Sequence, residues 1–467
     1  MGMNGHRFRC YPNREQENIL LRWIGCQRFI YNSKVKEDRY FRTFARKALS
    51  LIGQKPPIDQ QYSQFIGPDT AWLREVPSQV LRNGAVRWKQ AYSRFFQKRS
   101  GRPALHGKGG EQSVWLTREL FAFEDNGEDG HFLRIGTKKH PVGRLRYVAD
   151  RPHDLPASIV IRINAGQWHV SFATEDDAIY PKPAEIQAEL SQWDEGALRA
   201  ATIGVDRGVI NPAWTSTGKV YDFDPVQKER MAKKARQRRR WQRRMARRAK
   251  GSSEWHQARK RVARTYTYAR NVRKDFAHKA SHDLVTAPEV RMVVMEDLKV
   301  SAMSRRPKAK INDQGRPVAN GARSKAGLNK TILNSAWGQI KAHVQYKAPR
   351  NNVLFLVVPP HHSSQECAVC GHIHPDNRPS QSRFVCQRCG QTDHADHNAS
   401  RVIAQRGVRK VTGQCKPHSQ PVGAVRPEPP SSDGYAGGDQ GKPQAGQHPP
   451  THRSSKPEAM PTTAEAV

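Results

Sequence analysis

Four cysteines and a set of strand-end acids are the residues of this sequence whose types and spacing could do chemistry. Cys367 and Cys370 form one Cys-x2-Cys pair and, after fifteen intervening residues, Cys386 and Cys389 form another. Each pair makes a tight knuckle that aims two sulfurs at one tetrahedral ion, so the two together read as a four-thiolate zinc ribbon. Gly371 and Gly390 directly follow the second cysteine of each pair, where a turn with positive φ suits glycine. A dithiol redox centre needs only one such pair and explains the pattern poorly. Four thiolates leave no coordination position open, so this zinc is structural. His361, His362, His372, His374 and His394 are accordingly read as surface or nucleic-acid-facing residues. The acids are Asp206, ending the strand-like ATIGV; Glu296, ending MVVM; and Asp396, two residues before Asn398 at a helix start just after the ribbon. Carboxylates brought together from separate elements suit a hard ion such as Mg²⁺ or Mn²⁺, which aligns water and leaving oxygen in phosphodiester hydrolysis. Singly, each acid is more often a turn or capping residue. Asp297 competes with Glu296, and strand alternation does not separate them; Asp393 competes with Asp396.

The rest of the composition says what such a site would act on. Seventy-nine Lys and Arg stand against 42 Asp and Glu over 467 residues, a formal charge of +37. A compact fold with that excess repels itself unless a polyanion screens it, which makes nucleic acid the leading partner. The hydrophobic share of 36% is low for the length and calls for a polar tail or a large ligand-facing surface. The opening MGMNGHRFRC is polar and no run of about 18 apolar residues occurs, so the expectation is a cytoplasmic protein, nucleoid-associated when bound to DNA, with no membrane partner. Cys10, Cys26 and Cys415 read as ordinary thiols.

The elements that must position these residues are partly visible in the hydrophobic pattern. Leu20, Ile24, Tyr31 and Val35 make one helical stripe, and Leu81, Ala85, Trp88, Tyr92 and Phe95 a clearer one; both read as core rather than as base-stacking faces. Between about Gly101 and Pro181 short alternating runs take over, and Ile159–Glu175 is the best hairpin candidate, which suggests a small β-barrel or sheet. Ala201–Phe223 reads as further strands that open a new domain. Lys228–Lys250 is almost solidly basic, with Glu229 its only acid, and leads into a second helix after a turn near Gly251–Ser253. Arg236, Arg239, Arg240, Arg243, Arg244 and Arg247 on this hairpin are candidate phosphate contacts. RMVVMEDL and VLFLVVPP read as short buried strands, and from Lys416 onward the composition is that of a disordered tail.

With these motifs in order, the sequence resembles the TnpB (OrfB) family of insertion-sequence proteins, which is related to the type V CRISPR effector nucleases. The resemblance rests on IGVDRG, VVMEDL, SSQECAVCG with FVCQRCG, and ADHNASRVI. YPNREQ, RFIYN at Arg28–Asn32, WLREVPSQVL from Trp72 and RKDFAHKAS from Arg273 extend it over about residues 5–407. It implies an RNase H-like RuvC domain, split in sequence, with the ribbon inserted and Asp206, Glu296 and Asp396 as its metal-binding triad. The family positions favour Glu296 within EDL and Asp396 within D-x-N-A. The PPHHSSQ before the ribbon and the Pro-rich tail depart from the shared pattern without touching the triad.

The implied fold class is α+β and multidomain. Residues 1–110 form a mainly helical nucleic-acid recognition region whose first strand belongs with the barrel; 111–190 form a wedge-like β-barrel. Residues 191–365 carry the first two RuvC motifs, with the basic helical hairpin at 226–285. The ribbon spans 366–391, the third motif 392–412 and the tail 413–467. The implied partners are a guide RNA, a double-stranded DNA target and a separately encoded transposase acting on the same element. Three other readings stay in view. A nuclease-inactive accessory protein would be favoured by loss of a triad member, yet all three are present. A DNA-transferring transposase would need an HUH pair with a nearby tyrosine, whereas His361-His362 is followed by Ser363. A small type V effector would share every motif.

Overall fold

The structure is a computed structural model that describes residues 2–125 and 130–413; the expected tail from residue 414, Cys415 included, lies outside the described residues. The first layer is a seven-stranded antiparallel sheet built from β1 (Gly2–Tyr11), β2 (Gln112–Thr117), β3 (Phe121–Asp125), β4 (His131–Gly136), β5 (Pro141–Val148), β6 (Ser158–Asn164) and β7 (Gln167–Asp176). Its order is β2-β6-β7-β1-β5-β4-β3, so the polar opening of the chain is the central strand. The edge strands β2 and β3 are joined by only the turn at Arg118–Leu120, which obliges the sheet to curl until its edges meet at that corner. No ladder closes them among the described residues, so the expected barrel is instead a curled, open sheet.

Helix α1 (Arg14–Tyr40) covers this sheet. Asn13 caps it through a reciprocal pair with Gln16, with Asn13 Oδ1 accepting from the Gln16 N–H at 2.8 Å and Gln16 Oε1 from the Asn13 N–H at 3.1 Å. The Gln16 amide also donates to the Arg144 carbonyl at 2.9 Å, pinning the helix to β5, which gives the YPNREQ segment a structural reason. Leu20, Trp23, Ile24 and Ile30 are buried against sheet residues such as Leu116, Ile161 and Val170, each burial worth about 1.5–3 kcal/mol. Helix α2 (Ser78–Phe96) packs on α1, with Trp88 and Tyr92 buried beside Tyr31 and Val35.

The second layer holds the acids. Strands β8 (Thr202–Asp206), β9 (Ala213–Thr215), β10 (Val220–Tyr221), β11 (Met292–Glu296) and β12 (Leu354–Val358) order as β10-β9-β8-β11-β12. β8, β11 and β12 run parallel, β9 pairs antiparallel with β8, and β10 pairs antiparallel with β9. β11 is buried along its whole length, as a continuous apolar run in a sheet covered on both faces should be. On one face lie α4 (Ser253–Thr286), the partner of α3 (Pro225–Ala246) in an antiparallel hairpin, and α5 (Trp337–Lys347); on the other lies α6 (Ala395–Val411). No helix among the described residues is long and apolar enough to cross a membrane.

Candidate active site

Parallel pairing delivers two acids to one sheet edge. The ladder aligns Val205 with Met295, so Asp206 and Glu296 emerge side by side at the carboxyl ends of β8 and β11. The third acid comes from α6, in whose first turn Asp396 stands; His394 is the N-cap, its Nδ1 accepting from the Asp396 N–H at 3.2 Å. What brings that helix close is Gly204. A Cβ at this position would lie 2.0 Å from the Ser400 carbonyl oxygen and 2.5 Å from the Ala404 nitrogen, so α6 rests directly on the backbone of β8 only because residue 204 has no side chain.

The electrostatics follow from this crowding. Burial, then the neighbouring Glu296 and Asp396 carboxylates, push the Asp206 carboxyl up to about 8, against the pull of the Arg207 N–H and of Arg378. Burial also raises the Glu296 carboxyl, which is 6% exposed, although the Ser363 hydroxyl donates to its Oε1 at 2.5 Å. Arg378, from the ribbon, meets Asp396 at 3.3 Å. Arg207 is buried, and its Nη2 donates to the Glu296 carbonyl oxygen at 2.5 Å, tying together the ends of the two strands that carry acids. Trp337 Nε1 donates to the Gly208 carbonyl at 3.0 Å and holds the turn beyond. The rival acids point elsewhere. Asp297 is paired with Lys341 at 2.8 Å, which holds its carboxyl below the usual range. Asp393 is engaged by His397 at 2.9 Å and Arg401 at 3.6 Å.

The four cysteines meet as their spacing predicts. Their sulfurs all lie within 4.8 Å of one another, with Cys367–Cys389 at 3.7 Å and Cys370–Cys386 at 3.6 Å. A regular tetrahedron with Zn–S bonds of about 2.3 Å separates its sulfurs by about 3.8 Å, so the cluster could hold a zinc ion. Gly371 and Gly390 take φ of 71° and 72° at the two knuckles. Asp206, Glu296 and Asp396 form no cluster this tight among the described residues. Asn398, fully buried, accepts from the Ala368 N–H at 3.0 Å and donates to the Glu366 carbonyl at 2.7 Å, locking the first knuckle onto α6 two residues from Asp396. His394 corrects the expectation of a surface or nucleic-acid-facing residue: besides capping α6, it stacks on Trp214 of β9 at 4.2 Å and 10°.

Five of the six hairpin arginines lie on α3, which buries no residue, and the sixth, Arg247, is its C-cap. All six are exposed and none has an ion pair among the described residues. Arg240, Arg243, Arg244, Arg247 and Arg248 line an open groove of about 570 Å³.

Three family descriptions match parts of the chain: a probable transposase over residues 178–306, a Cas12f1-like TNB domain over 337–403 and a helix-turn-helix domain over 1–38. The last stretch is here the strand β1 and most of the single helix α1. InsQ of Escherichia coli (strain K12), provisionally named an RNA-guided DNA endonuclease, is 29% identical over 410 residues, covering 87% of this chain and 92% of its own length. A protein of Streptomyces pristinaespiralis with the same provisional name is 28% identical over 406 residues, 86% of this chain and 89% of its own. The chain belongs to the TnpB (OrfB) family. A shorter match, 31% identity over 83 residues, links this TnpB-family chain to the CRISPR-associated endodeoxyribonuclease Cas12f1 of Sulfoacidibacillus thermotolerans, covering 18% of this chain and 20% of its length. Sequence reading of the TnpB motifs missed Arg207 and Arg378. The first had a signal, a cation beside a strand-end acid; the second had none, since the fold of the ribbon carries it across eighteen residues to Asp396.

Proposed function

We propose that this chain is a transposon-associated, RNA-guided DNA endonuclease that hydrolyses phosphodiesters at a metal-dependent site formed by Asp206, Glu296 and Asp396. One observation carries the reading. Three acids from two adjacent parallel strands and a helix start are gathered at one sheet end, where burial, and after it the Glu296 and Asp396 carboxylates, push the Asp206 carboxyl up. A fold gains nothing by gathering like charges in a recess, and the arrangement is costly unless a cation is drawn to it.

The donors are all carboxylate oxygens, which suits Mg²⁺ or Mn²⁺ rather than a softer ion. When bound, such ions would supply an activated water and charge stabilisation of the leaving oxygen. The protein's own groups prepare the site. Ser363 fixes one oxygen of Glu296 and leaves the other to coordinate; Arg207 holds the Glu296 backbone; Arg378 orients Asp396. The ribbon, with zinc as its structural ion, holds α6 through Asn398. The arginines of α3 offer unpaired charge to a phosphate backbone. Base pairing by a guide RNA would select the target, as the names given to the relatives from Escherichia coli and Streptomyces pristinaespiralis suggest.

The test is to co-express the protein with its flanking DNA, sequence the RNA that co-purifies, and assay cleavage of a matching duplex with Mg²⁺ or Mn²⁺. Asp206→Ala, Glu296→Ala and Asp396→Ala should each abolish cleavage and leave RNA binding intact. Cleavage retained by one variant would remove that residue from the role, and a heterogeneous RNA population would remove the guided reading.

A further inference from the structure

Beyond the acid site and the hairpin, one segment is ordered without helping to build a core. From Arg39 to Ile52 no residue is buried and none packs against the core clusters, although the chain there continues α1 as a five-residue π-helical stretch at Phe41–Ala45 and a further α-helical turn at Arg46–Leu51; the core contacts resume only at Ile58. Tyr40 and Phe44 stand 58% and 74% exposed, with ring centroids 5.6 Å apart; Leu51 and Ile52 are 88% and 65% exposed. Large apolar side chains grouped in solvent mark a surface that something else covers, and π-helical turns occur disproportionately at functional positions.

Charge identifies the occupant. Between Arg39 and Ile58 there are five Lys or Arg and no acid. Arg42 is committed to Asp38 at 2.6 Å, whereas Arg39, Arg46 and Lys47 are exposed and have no ion pair among the described residues. Cations interleaved with outward rings, without acids, match a chain that offers both phosphates and open base faces. A fully paired duplex offers phosphates but hides those faces in its stack. An apolar protein partner would leave the cations uncompensated.

We propose that the tip of α1 is a stacking platform for unpaired nucleotides, RNA or DNA, on which bases pack against Tyr40 and Phe44 while Arg39, Arg46 and Lys47 hold the backbone. This rests on the reading of the chain as a nucleic-acid-binding protein but is independent of cleavage. The probes are single strands carrying 5-iodouridine or 5-iododeoxyuridine and the same strands fully paired, photocrosslinked to the full-length protein and mapped by mass spectrometry. Crosslinks at Tyr40 or Phe44 should form with an unpaired probe and disappear with the duplex. Tyr40→Ala with Phe44→Ala should weaken crosslinking within residues 39–47 to the single strand by about tenfold, the loss expected of one or two stacked bases, while crosslinks on α3 persist. Preference for the RNA or the DNA probe identifies which strand is held. Crosslinks on α3 without any between residues 39 and 47 would overturn the proposal. So would a dimer, seen by mass photometry without nucleic acid and abolished by the double variant, since a second copy would then be the occupant. Loss of guided cleavage in an Asp206→Ala protein would leave the crosslink unchanged, which separates failure of this inference from failure of the catalytic reading.

Discussion

At the acid site, Glu296 is 6% exposed, Asp206 is hemmed in by two more carboxylates, and Gly204, Ser363, Arg207 and Asn398 each constrain the geometry from a different element. On α3, by contrast, twenty-two residues pass without one being buried, and the helix with its C-cap carries six exposed arginines that have no ion pair among the described residues. Both regions concentrate like charge. In the first the surrounding packing bears the repulsion and fixes where each oxygen lies; in the second solvent bears it and the side chains stay free to meet an irregular backbone. Substitutions should therefore change fold stability strongly at the acid site and its supports, and barely at the hairpin.

The largest effect should come from the ribbon. Cys367→Ser, or zinc removal by a strong chelator, withdraws binding energy on the order of 10 kcal/mol from the local fold. Because Asn398 locks that knuckle to α6, cleavage should fall with the triad intact in sequence, and proteolysis should open residues 366–394 first. Persistence of full cleavage in zinc-free protein would separate ribbon from site. Next, Gly204→Ala places a methyl group against the Ser400 carbonyl and should cost about 2–5 kcal/mol, read as a lowered midpoint of thermal unfolding. An unchanged midpoint would mean that α6 can move off β8 freely, and the close approach would not be what sets Asp396.

Asp206→Asn should act in the opposite direction. A carboxyl raised from 3.8 to about 8 in the folded state penalises the fold when it must ionise: the penalty is absent below about pH 4, grows as pH rises and is complete above about pH 8. In metal-free protein the substitution should raise stability by on the order of 1–3 kcal/mol at pH 8.5, with the gain shrinking towards pH 5. Excess Mg²⁺ or Mn²⁺ should reduce the difference, because only the aspartate gains from the ion. Loss of stability at every pH would show that the Asp206 charge is compensated and would remove the main support for a cation-seeking site.

The apolar and the covalently spaced features were legible in the sequence. The stripes through Leu20 and Leu81, the continuous run ending at Glu296 and the cysteine spacing each follow from a local periodicity that the fold uses directly. The central strand β1 was less so, since its inward positions include Asn4 and His6, which serve polar contacts to Arg350 and Thr174 and break the apolar alternation. Closure of the first sheet failed to follow from the count of strands, because closure depends on pairing between β2 and β3 that no local pattern encodes. Strand alternation alone left Glu296 and Asp297 equivalent, and only the resemblance favoured Glu296; in the fold one side chain turns towards Asp206 and Ser363, the other towards Lys341.

The smallest change in stability is expected at the hairpin. Replacing Arg239, Arg240, Arg243 and Arg244 by alanine removes four exposed charges without an ion pair and should alter unfolding free energy by no more than about 0.5 kcal/mol per site, with alanine's helix propensity offsetting part of it. Repulsion along α3 even favours the replacement. Nucleic-acid binding should respond instead: the slope of log affinity against log salt should become shallower by about 0.7 to 0.9 for each arginine that touched a phosphate. A slope that stays put would mean these side chains face solvent in the complex as they do in the free protein. A drop in stability comparable to that of Gly204→Ala would erase the distinction between the two regions, since the hairpin charges would then be part of what holds α3 on α4.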